Sequence, residues 1–336
     1  MQYFGFQWHI TNYCNLRCFH CYQNDFSCKD ELGFDDIERI LNKIIQKFDK
    51  NRVIINITGG EPLLYNDFFK LLILLENKQV IKRVNIITNG VLLNGERVEL
   101  INRFKKIKEV KISLEGDSAD TNDKIRGKGV FERVIFNINS VRKSLKKDII
   151  LMFTLGSYNY RRLTEMLRFA SELRVDGVII ERFVPMGRGN LLKGEYLKEN
   201  EWLTVIEDII KFSNLDYSPN ELLPYKAFHI VLKNPVEVRG ALCNLGDESM
   251  ALMPNGDVYP CRRFPTRIGN LLEDEFDEIL LRLRILKENI IRNLKGKCKD
   301  CRIEKCWGCR AIAYTIYNDF YAEDPQCFYR KEELCI

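Results

Sequence analysis

The sequence lacks any apolar run that approaches the ~20 residues needed to cross a lipid bilayer. Its first residues also lack the succession of basic, apolar and small residues that marks a secretory signal peptide. We therefore expect a cytoplasmic protein that has no membrane partner.

Long blocks of one charge sign are also absent. The chain has 52 basic and 47 acidic residues mixed along its length, and its formal net charge is +5. Such mixing is typical of a solvated surface. We therefore expect no nucleic-acid partner.

Histidine is scarce, and a phosphate-binding GxxxxGK[ST] loop is missing. The three histidines are His9, His20 and His229. His229 lies in an apolar run and is predicted to be a packed residue. These features disfavour hydrolytic triads and phosphate-loop chemistry.

Cysteine, by contrast, is plentiful, with 12 residues in a chain of 336. Cytoplasmic thiols are kept reduced, so a disulfide framework is a poor explanation for them. Metal binding or redox chemistry is the better one.

Apolar runs rich in β-branched residues recur six times before residue 185. They predict buried strands at Phe4–Ile10, Val53–Thr58, Arg83–Thr88, Val110–Leu114, Ile149–Leu155 and Gly177–Val184. Amphipathic stretches lie between them; the apolar residues from Val130 to Val141, for example, fall on one face of a helix. This alternation predicts a parallel sheet that is either doubly wound or curled into a partial (β/α)6 barrel.

The alternation ends after a helix predicted around Asn200–Phe212. Prolines and turn residues then interrupt the stretch "SNLDYSPNELLPYKAFHIVLKNP". Beyond it, cysteines dominate a segment that we expect to have few regular elements, apart from a charged helix at Glu273–Leu294. We place a domain boundary between residues 212 and 213.

Three cysteines stand in the stretch "ITNYCNLRCFHCYQ", directly after the first predicted strand. Cys14, Cys18 and Cys21 have the spacing CxxxCxxC. Structural zinc normally has four ligands, and this spacing does not match the paired CxxC of a zinc ribbon. Three thiolates leave one metal position open, so a four-iron four-sulfur cluster with one bare iron fits better. Three ordinary buried cysteines are the alternative.

This loop resembles the CxxxCxφC motif of the radical S-adenosylmethionine (SAM) superfamily, where φ is an aromatic residue and His20 stands here. The resemblance implies that Cys14, Cys18 and Cys21 hold a [4Fe–4S] cluster whose open iron binds the amino and carboxylate groups of SAM. It also implies the reaction. An electron from the reduced cluster cleaves SAM to a 5′-deoxyadenosyl radical, which abstracts a hydrogen atom from the substrate.

Other motifs follow the predicted strands as they do in that family. "TGGEP" follows the second strand, "TNG" ends the third, "SLEG" ends the fourth, and "IRG" comes next. In the resemblance Glu61 meets the SAM ammonium, and Arg126 reaches its carboxylate with a guanidinium fork. A simple turn and a surface arginine are the alternatives. The SAM-binding residues implied are Gly59, Gly60, Glu61, Pro62, Asn89, Ser113 and Arg126.

The C-terminal cysteines resemble the SPASM extension of the same superfamily, whose pattern is C-x9-15-G-x4-C, a gap, C-x2-C-x5-C-x3-C, a gap and C. Two intervals here are each one residue shorter. The resemblance implies two auxiliary clusters, which bring the number of [4Fe–4S] clusters to three. It assigns Cys243, Cys261 and Cys309 to auxiliary cluster I, and Cys298, Cys301, Cys306 and Cys327 to auxiliary cluster II.

Auxiliary cluster I has one thiolate fewer than four. Relatives with full ligation have a cysteine where Glu237 stands in this chain. Either Glu237 is a ligand, or one iron stays open to another donor. Two zinc ribbons are the competing interpretation of the C-terminal cysteines. Cys28 and Cys335 fall outside every pattern and are predicted to be free thiols.

The resemblance leaves the substrate open. SPASM members mostly modify peptides or proteins, and a related branch decarboxylates tetrapyrrole side chains. Sulfatase-maturing relatives carry a catalytic aspartate directly after the cysteine that matches Cys261, but Arg262 and Arg263 follow it here. An arginine cannot take up a proton at neutral pH, which disfavours formylglycine formation. Two arginines suit a carboxylate-bearing substrate, unless they simply face solvent.

We therefore expect an α/β enzyme: a partial (β/α)6 TIM-like barrel over residues 1–212, and a small, loop-rich C-terminal iron–sulfur domain over residues 213–336. It should abstract hydrogen from a peptide or protein during maturation, such as cross-linking or epimerisation. Tetrapyrrole side-chain oxidation is the second interpretation, and a non-catalytic electron carrier or zinc scaffold is the third. Expected partners are the substrate, a separate peptide-recognition protein and a low-potential reductant such as ferredoxin or flavodoxin. The catalytic base is not assigned.

Overall fold

The first six strands and the helices that follow them alternate along the chain. The computed structural model describes residues 3–329, so Cys335 lies outside the described residues. The strands are β1 (Phe4–His9), β2 (Val53–Thr58), β3 (Ile81–Thr88), β4 (Ile107–Ser113), β5 (Asp148–Leu155) and β6 (Gly177–Arg182). The helices are α1 (Phe34–Lys47), α2 (Phe68–Asn77), α3 (Gly95–Asn102), α4 (Ala119–Arg126), α5 (Val130–Val141), α6 (Leu163–Glu172) and α7 (Glu199–Ser213).

These six strands are parallel and adjacent in chain order. Helix α1 shows why the helices cover the sheet: Ile37, Ile40, Leu41 and Ile44 recur at helical spacing and are all buried. Burying each such side chain contributes about 2 kcal/mol. The predicted α/β class and the partial (β/α)6 barrel are confirmed.

The sheet continues beyond β6 through a segment where the sequence predicted no regular structure. This segment contains the short helix α8 (Pro219–Leu222) and the antiparallel strands β7 (Tyr225–Val231) and β8 (Glu237–Leu242). Its prolines do not break these elements, because they lie at the first position of α8, just before β7 and in the turn that precedes β8.

The C-terminal region adds strands to the other edge of the same sheet. These are β9 (Ser249–Leu252), β10 (Asp257–Tyr259) and β11 (Gly269–Asn270), and β9 pairs in parallel with β1. Three helices follow, α9 (Phe276–Arg292), α10 (Lys297–Asp300) and α11 (Arg310–Tyr317). The charged helix predicted at Glu273–Leu294 is α9. The order of strands in residues 3–329 is β11-β10-β9-β1-β2-β3-β4-β5-β6-β7-β8.

The carboxyl ends of parallel strands share one edge of a sheet, and ligands bind there in barrels of this kind. In this protein the CxxxCxxC loop follows β1, GGEP follows β2, TNG follows β3 and SLEG follows β4. The fold therefore collects all four motifs on one side. No helix of residues 3–329 is both long and apolar enough to span a membrane.

Candidate active site

The motifs at the strand ends meet around one cavity of about 140 Å³, which we call the thiol cavity. It takes its name from the N-terminal set of thiols, Cys14, Cys18 and Cys21, which line it. The structure brings most of the predicted SAM-binding residues to the same cavity, namely Gly59, Gly60, Asn89, Ser113 and Arg126. Glu61 and Pro62 are buried but are not among its lining residues.

The two glycines of GGEP are required because the backbone of the cysteine loop packs closely against them. The backbone amide of Gly60 donates to the carbonyl of Thr11 at 2.7 Å, and that of Glu61 donates to the carbonyl of Tyr13 at 2.8 Å. A Cβ atom on Gly60 would overlap the Tyr13 carbonyl oxygen. Glycine thus lets the turn after β2 pair closely with the cysteine loop after β1.

The carboxylate of Glu61 braces this turn. It is fully buried and accepts hydrogen bonds from Leu63 N (3.1 Å), Thr88 Oγ1 (2.7 Å) and Asn89 N (2.7 Å). Burial raises its pKa, although these three donors oppose the shift. The structure therefore ties Glu61 to the end of β3, and three donors leave about one lone-pair site of its carboxylate free, so the contact with the SAM ammonium stays a prediction.

A buried charge cluster that the sequence did not reveal lies beside the N-terminal set. Glu115 Oε1 accepts from Arg126 Nη2 (2.9 Å) and lies 3.1 Å from His20 Nε2, while Glu115 Oε2 accepts from Thr154 N (2.8 Å). Burial alone would raise the pKa of Glu115, but His20 and Arg126 lower it to about 2. An ionised Glu115 therefore anchors Arg126 within the thiol cavity. The only sequence clue was its place in SLEG.

The thiols fit an iron–sulfur cluster with one open iron, since three of them line one cavity and no fourth cysteine of residues 3–329 does. Burial raises the pKa of Cys14 to about 11, and it also raises the pKa of Cys18, against which Arg126 acts. In residues 3–329 no three His, Cys, Asp or Glu side chains converge closely enough to hold a single metal ion. The thiolates of a four-iron cluster bind different irons and stand further apart than the ligands of one ion.

A second cavity, of about 400 Å³, adjoins the first and is called here the lumen cavity. Its lining includes the inner set of thiols, Cys243, Cys261 and Cys309. It shares lining residues with the thiol cavity, namely Ile87, Met152, Glu181, Arg262 and Arg263. We call these five shared residues the partition, because the N-terminal set lies on one side of them and the inner set on the other.

An ion pair forms the polar part of this partition. Arg262 pairs with Glu181 on β6, and Arg263 donates to the carbonyl of Arg182 at 2.9 Å. Burial alone would raise the pKa of Glu181, but Arg262, Arg263 and Lys111 lower it. The Arg262 side chain is only 10% exposed. Both arginines face the cavities, as a role in substrate binding requires.

The other four cysteines of the SPASM-like pattern, which we call the outer set, surround a narrow space of about 10 Å³. They are Cys298, Cys301, Cys306 and Cys327. Burial raises the pKa of Cys327 to about 12. The structure thus sorts the C-terminal thiols into the same groups of three and four that the SPASM resemblance implied.

Glu237 lies outside these groups. It is half-exposed on β8 and pairs with Arg239, with 2.7 Å between Arg239 Nε and Glu237 Oε1. It is absent from the lining of the lumen cavity. A strand position that faces solvent does not present Glu237 to the inner set, so the structure disfavours it as a fourth ligand.

Comparison with known families matches two stretches of the chain. The family described as the radical SAM superfamily matches residues 8–170, and the SPASM family, described as an iron–sulfur cluster-binding domain, matches residues 243–310. The chain belongs to the radical SAM superfamily. It is a radical SAM enzyme with a SPASM domain, and SAM and iron–sulfur clusters are its cofactors.

Relatives of this radical SAM enzyme include heme synthases and peptide maturases. An AdoMet-dependent heme synthase from Methanosarcina barkeri is 29% identical over 96% of this chain and 95% of that protein. The mycofactocin maturase MftC from Mycobacterium ulcerans is 27% identical over 95% of this chain and 86% of that protein. The structure of SuiB from Streptococcus suis bound to its precursor peptide SuiA has the same fold, with a TM-score of 0.69, 19% identity, and coverage of 98% of this chain and 75% of that one.

Proposed function

We propose that this enzyme abstracts a hydrogen atom from a peptide or protein whose reacting side chain enters the lumen cavity. The observation that carries the proposal is the partition. One set of residues, Glu181, Arg262 and Met152 among them, lines both the thiol cavity and the lumen cavity. A side chain in the lumen cavity would lie directly beside the N-terminal set. Peptide substrates are supported by the similarity to the maturase MftC and to SuiB with its precursor peptide.

We assign one [4Fe–4S] cluster to each set of thiols, which makes three. When bound, the N-terminal cluster and SAM supply the 5′-deoxyadenosyl radical that removes the substrate hydrogen. A low-potential ferredoxin or flavodoxin is the reductant that this chemistry calls for. We also propose that a separate protein presents the peptide.

The chain's own residues have distinct tasks in this proposal. Arg126 is held by Glu115 through Nε and Nη2. Within residues 3–329 its Nη1 has no hydrogen-bond partner, so this nitrogen is available to the SAM carboxylate. Glu61 fixes the turn after β2, and Asn89 and Ser113 line the cavity for the rest of SAM.

The partition residues act on the substrate side. Among residues 3–329, Glu181 is the only carboxylate that lines either cavity. Because Arg262 and Arg263 keep its pKa low, Glu181 stays ionised and orients both guanidinium groups. The geometry therefore supports a role for Glu181 in orienting the charged groups that bind substrate. It does not support a role as the base that takes up a proton.

Tetrapyrrole oxidation is the second candidate, and the charges of the lumen cavity favour it. Its lining has one carboxylate and five cations, which are Lys111, Lys226, Arg262, Arg263 and Arg310. Propionate side chains of a tetrapyrrole would suit such a surface. The similarity to the heme synthase, which covers nearly all of both chains, supports the same interpretation.

The first experiment measures iron, sulfide and zinc per chain after anaerobic purification, and 5′-deoxyadenosine after addition of SAM and a strong reductant. We expect about twelve irons and the nucleoside. The triple variant Cys14→Ala/Cys18→Ala/Cys21→Ala should keep about eight irons and make no nucleoside. The variant Cys28→Ala, at an exposed thiol outside every set, is the control. Zinc in place of iron, or nucleoside from the triple variant, would refute the proposal.

A second experiment separates the two substrate classes. The enzyme is incubated with deuterated peptides encoded beside its gene, and separately with a tetrapyrrole deuterated in its propionate side chains. Deuterium in 5′-deoxyadenosine identifies the molecule that loses hydrogen. Transfer from the tetrapyrrole alone would overturn the peptide assignment while leaving the radical chemistry intact.

A further inference from the structure

Cationic side chains contact the sulfurs of the outer set directly. Lys226 Nζ lies 3.4 Å from Cys306 Sγ, and Arg310 Nη2 lies 3.5 Å from Cys298 Sγ. Lys226 comes from β7 and Arg310 from the start of α11. Two elements that are distant in sequence thus bring positive charge to the same four thiols.

Arg310 is fully buried, so its positive charge needs a negatively charged partner nearby. Nη1 donates to the carbonyls of Phe320 and Ala322. In the part of the chain that the structure describes, no carboxylate lies within ion-pair distance of Arg310. An uncompensated buried charge costs several kcal/mol. The Cys298 sulfur, as a thiolate, is the anionic partner within reach.

Gly308 makes this contact possible. Its φ is +64°, a conformation that suits glycine. A Cβ atom there would overlap Arg310 Nη2 and lie 3.3 Å from Cys298 Sγ. The glycine between Trp307 and Cys309 therefore clears the path along which the guanidinium reaches the outer set.

The inner set has a different environment. Cys261 Sγ accepts from the backbone amide of Arg263 at 3.4 Å. The Arg263 guanidinium itself is directed to Glu181 and to the Arg182 carbonyl. The Arg263 guanidinium also hydrogen-bonds the Cys261 sulfur, but its charge is paired with Glu181, whereas neither Lys226 nor Arg310 has a carboxylate within ion-pair distance among residues 3–329.

We propose that Lys226 and Arg310 tune the outer cluster: their charged hydrogen bonds to its thiolate sulfurs hold its reduction potential above that of the inner cluster. A reduced cluster carries one more negative charge than an oxidised one. Cationic donors to its sulfurs therefore stabilise the reduced state more. This inference rests on the proposed function, because it requires a cluster on the outer set.

The test is a potentiometric titration followed by electron paramagnetic resonance, without substrate. It uses the Cys14→Ala/Cys18→Ala/Cys21→Ala background, so that signals come from the auxiliary clusters. The outer signal is the one that is lost in Cys298→Ala/Cys301→Ala. We expect that signal to titrate at the higher potential, and Lys226→Gln to shift it downward without moving the inner signal. Lys226→Arg, which keeps a charged donor, should restore it.

Two further variants keep the test decisive. Lys299 is exposed on α10, between Cys298 and Cys301, so Lys299→Gln removes an equal charge without touching a sulfur and should shift nothing. Gly308→Ala displaces Arg310 and should lower the outer potential even if Lys226→Gln fails to assemble. Unchanged potentials in iron-replete Lys226→Gln and Gly308→Ala, or an equal shift in Lys299→Gln, would overturn the inference.

The iron content distinguishes failure of this inference from failure of the proposed function. About eight irons in the background variant, with unshifted potentials, would refute only the tuning by Lys226 and Arg310. About four irons or fewer would show that the auxiliary clusters themselves were wrongly assigned. In that case the proposed cofactor set fails together with this inference.

Discussion

The guanidinium of Arg182 and the carboxylate of Asp324 form an ion pair that is buried on both sides, with 3.1 Å between Nη1 and Oδ2. Arg182 ends β6 of the barrel, and Asp324 lies in the loop that carries Cys327. Asp324 also accepts from the backbone amides of Cys309 (2.8 Å) and Gln326 (3.0 Å). One carboxylate thus connects a barrel strand to both the inner and the outer set.

Replacing Asp324→Asn should destabilise the protein strongly, because it would leave the charge of Arg182 buried without its partner. We expect the free energy of unfolding to fall by about 3–5 kcal/mol, as measured by urea denaturation under anaerobic conditions. The matched control is Glu237→Gln at the exposed pair with Arg239, which should not change the denaturation midpoint. Similar midpoints for all three proteins would show that the buried pair is unimportant.

The same Glu237→Gln variant also tests the ligand question. Because Glu237 faces solvent on β8, we expect the full iron content and unchanged nucleoside formation. Elemental analysis and chromatography of 5′-deoxyadenosine give both values. A loss of iron in this variant alone would make Glu237 a ligand after all.

Gly60→Ala should disable SAM cleavage. The new methyl group would overlap the Tyr13 carbonyl oxygen and push the cysteine loop from the turn after β2. A misplacement of about 1 Å can cost on the order of 100-fold in rate, so we expect a loss of that size in 5′-deoxyadenosine formation. Gly95→Ala, where an added Cβ meets nothing within 4 Å, is the control and should retain the normal rate.

Glu115→Gln should weaken SAM binding. The neutral amide no longer holds Arg126 by charge, so Arg126 loses its anchor in the thiol cavity. We expect the KM for SAM to rise by about tenfold, a cost of roughly 1.4 kcal/mol, with a smaller effect on kcat. Asp117→Asn, in the same turn but paired with Arg162 outside the cavity, should leave KM unchanged. Equal KM values for the two variants would contradict the role of Glu115.

His9 should make the protein less stable in mild acid. Burial first, and then Arg262, lower its pKa from 6.5 to about 3 in the folded state. His9 therefore binds a proton in the unfolded chain but not in the folded chain over this range. As a result, the free energy of unfolding falls as the pH drops from 6.5 towards 3. The slope reaches about 1.4 kcal/mol per pH unit.

The check is urea denaturation of the wild type and His9→Gln at several pH values between about 7.5 and 5.5, where we expect the wild type to lose about 1.4 kcal/mol more than the variant. The Tyr22 hydroxyl lies 3.3 Å from His9 Nδ1, a contact that glutamine can replace. Parallel pH profiles would show that His9 is not responsible.

The sequence predicted the barrel well because its strands are long apolar runs separated by amphipathic helices. It failed between residues 213 and 242, where β7 carries the polar residues Lys226 and His229 and prolines suggested irregular structure. Those prolines stand at the ends of elements. The pairing of β9 with β1 was also unpredictable, because its four residues gain their partner only from the tertiary fold. The boundary between residues 212 and 213 stays a prediction.

For the site, the sequence predicted the residues whose type is dictated by local chemistry, such as the cysteines and the glycines of GGEP. It missed Glu115 and Glu181, whose roles depend on the arginines that the fold brings to them. Glu61 illustrates a further case. Its motif predicts a contact with SAM, which stays a prediction, and the structure adds a second role that the motif did not show: three backbone and side-chain donors tie its carboxylate to the neighbouring chain.

The parallel pairing of β1 with β9 also has a consequence for synthesis of the chain on the ribosome. β1 emerges well before β9, so one of its edges stays open until Ser249–Leu252 have been made. An open apolar edge strand is a template for aggregation, and contacts between such distant segments form slowly. A truncated chain that stops at Ser213 should therefore be prone to aggregate when expressed alone, because its missing last third would have covered its first strand.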